Sequence, residues 1–394
     1  MEPVLPSPVS SPLPLTSVLL SAFDSLPDPR VARTRLHSLS DLLLLSLASV
    51  CCGAEGFEDM EDWAKAQGEH RLRTDFGVRL PNGIPHHDTF RRVLCRLQPD
   101  VLEGCLHGVR QRLPQPARVS HVAIDGKEVR GAHDAATDKA IPVLLSAFAS
   151  DLNLVLAHEQ VPDKSNEIPA ARTLLASLSL QGATVTADAL HCQKETARLI
   201  VERKADYVLA VKSNQAQLLQ AITSLFDTNR KEGRLPMQQA TQHGKEHGRV
   251  ETRYGFLVAV ADWLPPDDPL LQWTGLTSVL CVQSHTQSVQ RGREKRTTQT
   301  RYFISSSAAP VQEQMAWVRS HWSIESMHWI MDVTFGEDAC RIRKGHEARN
   351  MATLRRVAAL LLRLSSQGTT RTSIKGRKKT AAWNRAYLLR TLTI

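Results

Sequence analysis

Three acids stand where the chain changes character. Val122-Ala123-Ile124-Asp125 is a short apolar run that ends in a carboxylate and is followed by Gly126. Ala183 to Ala187 is a second such run, ending at Asp188, and Glu325 lies in His321-Trp322-Ser323-Ile324-Glu325-Ser326-Met327-His328, which reads as helix. Taken singly, an Asp after an apolar run is an ordinary turn former. Together the three have a definite chemistry. Transfer of a phosphodiester calls for a strong nucleophile and for neutralised charge on the attacking and leaving oxygens. Two Mg²⁺ ions about 3.5–4 Å apart supply both, held by hard anionic oxygens drawn from separate elements. The sequence therefore predicts Asp125, Asp188 and Glu325 as catalytic residues and metal ligands of a phosphoryl-transfer enzyme, with Mn²⁺ able to replace Mg²⁺.

Such a site needs two neighbouring strands and a helix across their ends. Val143 to Ser150 and Leu154 to Val161 are further apolar runs, separated by the turn former Ser150-Asp151-Leu152-Asn153. Ile168 to Leu178 and Gln193 to Arg203 have helical spacing, and Tyr207 to Val211 reads as a strand. The order β-β-β-α-β-α-β is that of a ribonuclease-H-like core, here over 119–212. Alternation then stops. Gly248 to Ala261, Ser278 to Ser284 and Arg301 to Ser305 read as strands of a β-rich insertion over 213–307. A single helix from about Pro310 to Val333, within 308–340, completes the core. His321, Glu325, His328 and Asp332 follow i, i+4, i+7 and i+11 spacing and share one face of it.

Before the core, residues 1–30 are rich in Pro and Ser and predict an extended lead-in. A helical domain over 31–113 follows, with Ser38 or Ser40 as a cap, Phe57, Met60, Trp63 and Ala64 on one face, and Asp88 or Thr89 capping a helix that carries Phe90, Val93 and Leu94. Leu42 to Val50 is too short to span a bilayer and predicts a buried helix. The fold class is thus α/β, a ribonuclease-H-like catalytic core with a β-rich insertion, preceded by a helical N-terminal domain. Residues 341–394 form a basic helical tail with Met351, Leu354, Ala358, Leu361 and Leu362 as its apolar stripe.

Charge is distributed unevenly. The net charge is +9, yet from Arg341 onward 14 Lys and Arg face a single acid, Glu347, giving +13, while residues 1–340 hold 35 bases and 39 acids and carry −4. Local basicity of this kind suits a nucleic-acid strip, or else a solvated helix with a polybasic loop. Seven cysteines without a CxxC pair exclude a zinc ribbon and a secreted disulfide scaffold, and fit reduced thiols in the cytoplasm. The start of the chain, with Glu2 and several prolines, is unlike a signal peptide.

The residues around the acids carry a resemblance. Val122-Ala123-Ile124-Asp125-Gly126-Lys127, Ala187-Asp188-Ala189-Leu190-His191-Cys192-Gln193 and His321-Trp322-Ser323-Ile324-Glu325, followed by Asp332-Val333-Thr334-Phe335, resemble the H-repeat-associated bacterial insertion-sequence transposases. So do Leu26-Pro27-Asp28-Pro29-Arg30, His87-Asp88-Thr89-Phe90-Arg91, Lys212-Ser213-Asn214-Gln215 and His247-Gly248-Arg249-Val250-Glu251-Thr252-Arg253, so that it spans about residues 20–365. The resemblance implies a DDE core and cut-and-paste chemistry on the terminal inverted repeats of an element and on target DNA. A homodimer or higher synaptic assembly, acting at the bacterial nucleoid in the cytoplasm, follows, because two ends must be joined in one event. Two rival activities are a metal-dependent nuclease without strand transfer and a non-catalytic DNA-binding protein.

Related transposases carry a Tyr, Arg, Glu, Lys signature around the catalytic Glu. This chain has Val318, His321 and Asp332 at the Tyr, Arg and Lys positions. Candidate DNA contacts are Lys127, Lys212, Arg249, Arg253, His321, His328, Arg341, Arg343 and Lys344. Arg249, Glu251 and Arg253 equally suit a salt-bridged surface, and Trp263 and Trp273 suit core packing as well as base stacking. For His191 and Cys192, helix packing or substrate contact is expected rather than metal ligation. His321, Glu325, His328 and Asp332 can alternatively be read as a Zn²⁺ set. Asp332 either orients His328 from behind the site or is a surface acid.

Overall fold

Among the described residues six α-helices precede the first strand: α1 (Leu15–Asp24), α2 (Leu39–Cys52), α3 (Phe57–Gln67), α4 (Glu69–Phe76), α5 (His87–Arg96) and α6 (Pro99–Arg112). The computed structural model describes residues 15–112, 119–129, 143–161, 166–246, 249–265, 268–290, 293–342, 344–365 and 372–392. These divide into two units, one holding the helices before 113 together with the chain from Trp329 onward, the other holding the residues between, to His328.

In the first unit α2 is apolar on every side and is buried from Leu39 to Cys51, as a helix without a polar face must be. Ser38 caps it by accepting a hydrogen bond from the Asp41 amide. The later helices α12 (Glu347–Leu364), α13 (Ile374–Trp383) and α14 (Arg385–Thr391) pack on α2. Several of the bases behind the +13 charge are spent inside this unit. Arg356 pairs with Glu337 at 2.8 Å with both side chains buried, and Arg355 is buried. Arg377 donates to the carbonyls of Leu362 and Arg363, which end α12, and Lys378 donates to the Thr334 carbonyl. One expectation fails at the other end of the chain: Leu15–Asp24 is helical, not extended, because Leu19 and Phe23, four residues apart, are both buried.

The second unit is a mixed α/β structure around one nine-stranded sheet. Its strands are β1 (His121–Glu128), β2 (Val143–Ala149), β3 (Leu154–Val161), β4 (Thr184–Ala187), β5 (Asp206–Val211), β6 (Gln238–Glu246), β7 (Arg249–Ala259), β8 (Ser278–Gln290) and β9 (Arg293–Ser305), in the order β3-β2-β1-β4-β5-β9-β8-β7-β6. Strands β1 to β3 form an antiparallel meander, and β1, β4 and β5 run parallel. The four later strands continue the same sheet, all antiparallel, from β5 outward.

Helices α7 (Glu167–Ser177), α8 (Lys194–Glu202) and α9 (Ala216–Glu232) lie between strands in sequence, and α10 (Val311–His321) packs across β1, β4, β5, β6 and β7. Val311, Met315 and Val318 of α10, at i, i+4 and i+7, close a core with Val208, Leu257, Leu280, Val282 and Phe303. The helix sits so near β7 that a Cβ on Gly255 would fall 2.1 Å from Met315 Sδ. The expected uninterrupted helix over 310–333 is instead broken at Trp322. The chain resumes as α11 (Ser323–Trp329) and continues in a π-helical turn, Ile330–Thr334. Among the described residues no single helix is long and apolar enough to cross a membrane.

Candidate functional site

Parallel pairing matches Ile124 of β1 with Ala187 of β4, so Asp125 and Asp188 are the next residues on neighbouring strands. Strands in a sheet lie about 4.8 Å apart, which brings the two carboxylates to one edge. Asp188 also behaves as a turn former: its Oδ1 accepts from the Leu190 amide at 3.0 Å. Its other oxygen makes no hydrogen bond within the described chain.

A fourth acid joins them that the sequence reading did not single out. Glu167 opens α7 behind its Asn166 cap, and its carboxylate lies against the backbone of Gly126, where a Cβ would stand 2.2 Å from Glu167 Oε2. Only glycine permits that approach. Its one local signal is an acid in a helix's first turn, and the contact reaches across the chain to β1. The same Oε2 lies 3.6 Å from Nε2 of the buried His191.

The electrostatics report the convergence. Burial, then the negative charges of Asp188, Glu167 and Glu325, push the Asp125 carboxyl up from 3.8 to about 7, against the Gly126 amide, which favours the ionised form. Like charges thus crowd one half-buried carboxylate. His328 Nδ1, 3.6 Å from Asp125 Oδ2, is the described side chain paired with it. Hard oxygen donors carrying mutually repelling charge are what a divalent cation of the Mg²⁺ class requires, so the residues present fit that group. Cys192 does not fit as a ligand, since burial pushes its thiol up to about 12.

The helix side of the site is held by a buried hydrogen-bonded chain. His121 Nε2 lies 2.8 Å from Thr186 Oγ1, which lies 3.0 Å from His321 Nδ1. Burial holds both imidazoles down, to about 4; for His321 the charges of His191 and Arg301 act with burial, while Asp188 and the Thr186 backbone oppose it. Strand alternation sets Arg249, Arg253 and Arg301 on the α10 face of the sheet, with Gly255 and Phe303. Arg301 stacks on Trp322, its guanidinium carbon 4.5 Å from the ring centroid, and both Glu251 and Glu325 act on its charge.

The remaining candidates fall as follows. Lys127 is buried in β1, 8% exposed. Lys212 is exposed at the end of β5, and Arg249 is exposed at the start of β7. Arg253 forms an ion pair with Glu251. Trp273 is buried, and Trp263 is half-buried. In the first unit Arg341 and Lys344 are exposed, Asp332 is half-buried in the π-helical turn with an interaction of its own, and Arg343 lies outside the described residues.

The zinc alternative finds no support in the arrangement. The face divides at His328, Asp332 lying in the first unit, and among the described residues only Glu61, His86 and His87, in the first unit, bring three ligand atoms within 4.8 Å of one another. That cluster has a simpler account. Glu61 Oε2 accepts from the His87 amide at 2.7 Å and lies 2.8 Å from His87 Nδ1, while Lys65 pairs with Oε1 at 2.7 Å. A carboxylate placed at the start of α5 satisfies free amides and the helix dipole, both of which disfavour a cation there. The ligand atoms of Asp125, Asp188 and Glu325 do not all lie within 4.8 Å of one another.

Comparison with known proteins gives concordant matches. The Transposase DDE domain family matches residues 117–362, and the DDE_Tnp_1-associated family matches residues 20–108. The H repeat-associated putative transposase YhhI of Escherichia coli (strain K12) is 33% identical over 380 residues, covering 95% of this chain and 97% of its own. The putative transposase YncI of Escherichia coli O157:H7 is 34% identical over 375 residues, 94% and 93% of the two chains. A shorter stretch of 71 residues is 48% identical to the inactive transposase YbfQ of Escherichia coli (strain K12), covering 17% of this chain and 77% of that one.

Proposed function

The chain belongs to the transposase DDE-domain family, and from that premise we propose that it cuts DNA at the ends of a mobile element and joins the freed ends to target DNA, with Asp125, Asp188 and Glu325 as the catalytic carboxylates. The observation that carries this reading is the placement of Asp125 and Asp188 one residue past a paired position on adjacent parallel strands, with Glu325 acting on the same carboxyl. The strand order β3-β2-β1-β4-β5, antiparallel then parallel, supports a ribonuclease-H-like core, with β6 to β9 as the insertion ahead of α10.

Asp125, Asp188 and Glu325 would hold the Mg²⁺ pair, for which Mn²⁺ can stand in; when bound it neutralises the attacking and leaving oxygens. Glu167 and His328, both facing these carboxylates, orient them. Arg301, held flat by Trp322, and Arg253, two strands away on the same face, bind backbone phosphates of the end being cut, and Arg249 extends the strip outward along β7.

Water attacks the scissile phosphorus, the bond from phosphorus to the 3′ oxygen breaks, and a 3′-hydroxyl and a 5′-phosphate remain. That 3′-hydroxyl then attacks a target phosphodiester in line and displaces another 3′ oxygen, so no covalent protein intermediate forms. Joining two ends in one event calls for at least two copies of the chain. A pre-cleaved duplex end bearing a free 3′-hydroxyl, incubated with plasmid and Mg²⁺, tests the reading. Covalently joined product is the expected result, and hydrolysis without joining would make the protein a nuclease.

A further inference from the structure

We infer that Trp383 is a stacking platform for an unpaired base of single-stranded DNA, with Lys379 and Lys375 neutralising the phosphates to one side of it. The functional reading above is needed only for the strand being DNA; the aromatic and cationic chemistry is that of α13 itself.

What α13 buries sets which residues it shows. Ile374 and Ala381, seven residues apart, are buried, and Cys52 Sγ of α2 donates to the Ala381 carbonyl at 3.6 Å. Arg377 and Lys378 are tied to the same unit through the carbonyls of Leu362 and Thr334. Lys375, Lys379 and Trp383, at i, i+4 and i+8, are left on the outer face, and all three are exposed.

Trp383 is 78% exposed, more than any other large apolar side chain described. An indole that open packs against little of its own chain, so the fold gains almost nothing from it. Its neighbour is a cation: Lys379 Nζ stands over the ring, 5.9 Å from the centroid. Neither Lys375 nor Lys379 forms an ion pair within the described chain. Arg385, two residues past Trp383, is by contrast paired with Asp75. No acid follows Glu347 in the sequence, so the segment supplies no carboxylate of its own to these lysines.

An open π-face beside uncompensated positive charge complements a polymer that alternates flat bases with phosphates. Bases in a duplex are already stacked on one another, whereas an unpaired base offers its face to an aromatic side chain. One turn of α13 sets Lys375 and Lys379 about 6 Å apart along the axis, so their charges run along a backbone instead of meeting at one point. An anionic bilayer also attracts Lys and Trp, but a helix lying in a membrane needs a broad apolar face. Besides Trp383, the outer face of α13 has only Ala382 to offer.

The test measures binding of full-length protein to a thymidylate oligonucleotide and to a blunt duplex over a range of salt, with thermal unfolding alongside. Trp383→Ala should weaken single-strand binding roughly five- to a hundredfold, leave the salt slope and Tm unchanged, and affect the duplex little. Trp383→Phe should keep most of the affinity. Lys375→Gln with Lys379→Gln should instead lower the single-strand slope by about 0.7 for each phosphate no longer neutralised. An iodouracil-substituted strand, irradiated in the complex, should crosslink to the peptide holding Trp383. Unchanged single-strand affinity in Trp383→Ala, an equal loss on the duplex, or a crosslink only elsewhere overturns the inference. So does binding to phosphatidylglycerol vesicles that needs Trp383 when oligonucleotide binding does not. Failure of the wild type to join ends would count against the functional reading and leave the single-strand comparison standing.

Discussion

Replacing Asp125 by Asn should make the cation-free protein more stable, and more so at pH 8 than at pH 5. Burial and the charges of Asp188, Glu167 and Glu325 raise the Asp125 pKa from 3.8 to about 7. A carboxyl with a raised folded-state pKa binds its proton more tightly when folded. The stability it contributes is complete below the unfolded value and is lost as pH rises to the folded one. Between pH 5 and pH 7 the loss runs at about 1.4 kcal/mol per unit, or ~3 kcal/mol. The side chain is 30% exposed, and solvent screening brings the expected figure to about 2 kcal/mol. Asn has no proton to lose, so the advantage of Asp125→Asn over wild type should grow by that amount, roughly 4–8 °C in Tm. Thermal unfolding of both proteins in EDTA at the two pH values measures it. Adding Mg²⁺ should then stabilise the wild type more than the variant. An advantage equal at both pH values, or equal stabilisation by Mg²⁺, would refute the crowded-carboxylate reasoning.

Gly126→Ala should push Glu167 aside, since the new Cβ would lie 2.2 Å from Oε2; titration calorimetry should show Mg²⁺ affinity falling roughly 10–100-fold with the fold intact, and unchanged affinity would remove Glu167 from the site. Arg356→Met alone should cost about 3–5 kcal/mol in denaturant unfolding by removing the buried cation paired with the Glu337 carboxylate, whereas replacing both partners with apolar residues should cost much less. Lys375→Gln with Lys379→Gln, at exposed positions of α13, should reduce the salt slope of DNA binding by about 0.9 for each phosphate that is no longer neutralised. Arg377→Gln should instead lower Tm, because it uncaps α12; a double variant binding with an unchanged slope would leave those lysines as a solvated face.

What the sequence reveals of this protein is mostly what is local. An apolar run closing on an acid is written in consecutive residues, and Asp125 and Asp188 each follow the last pair matched between β1 and β4. Buried Leu42 to Val50 is likewise a local signal. Strand β6, Gln238–Glu246, is not, because its polar residues show no alternation and pair only because β7 offers an edge. Glu167 and the chain from His121 through Thr186 to His321 depend on contacts between distant segments, which spacing does not encode. The helix break at Trp322 escapes periodicity because the stretch on either side keeps helical composition. The +13 tail shows a limit of another kind: counting charge cannot tell Arg356, paired in the core, from Lys379, exposed on α13.

The central claim is that Asp125, Asp188 and Glu325 together cut DNA with a divalent cation. Its most direct test is cleavage of a duplex made from the DNA that flanks the reading frame, carrying the terminal repeat proposed above, with wild type and Asp188→Ala compared in Mg²⁺ and in EDTA and DNA binding measured alongside. A new 3′-hydroxyl should appear at the repeat boundary with wild type in Mg²⁺ only, and none with Asp188→Ala, which should still bind the end. Cleavage that persists in EDTA, or in the variant, would contradict it.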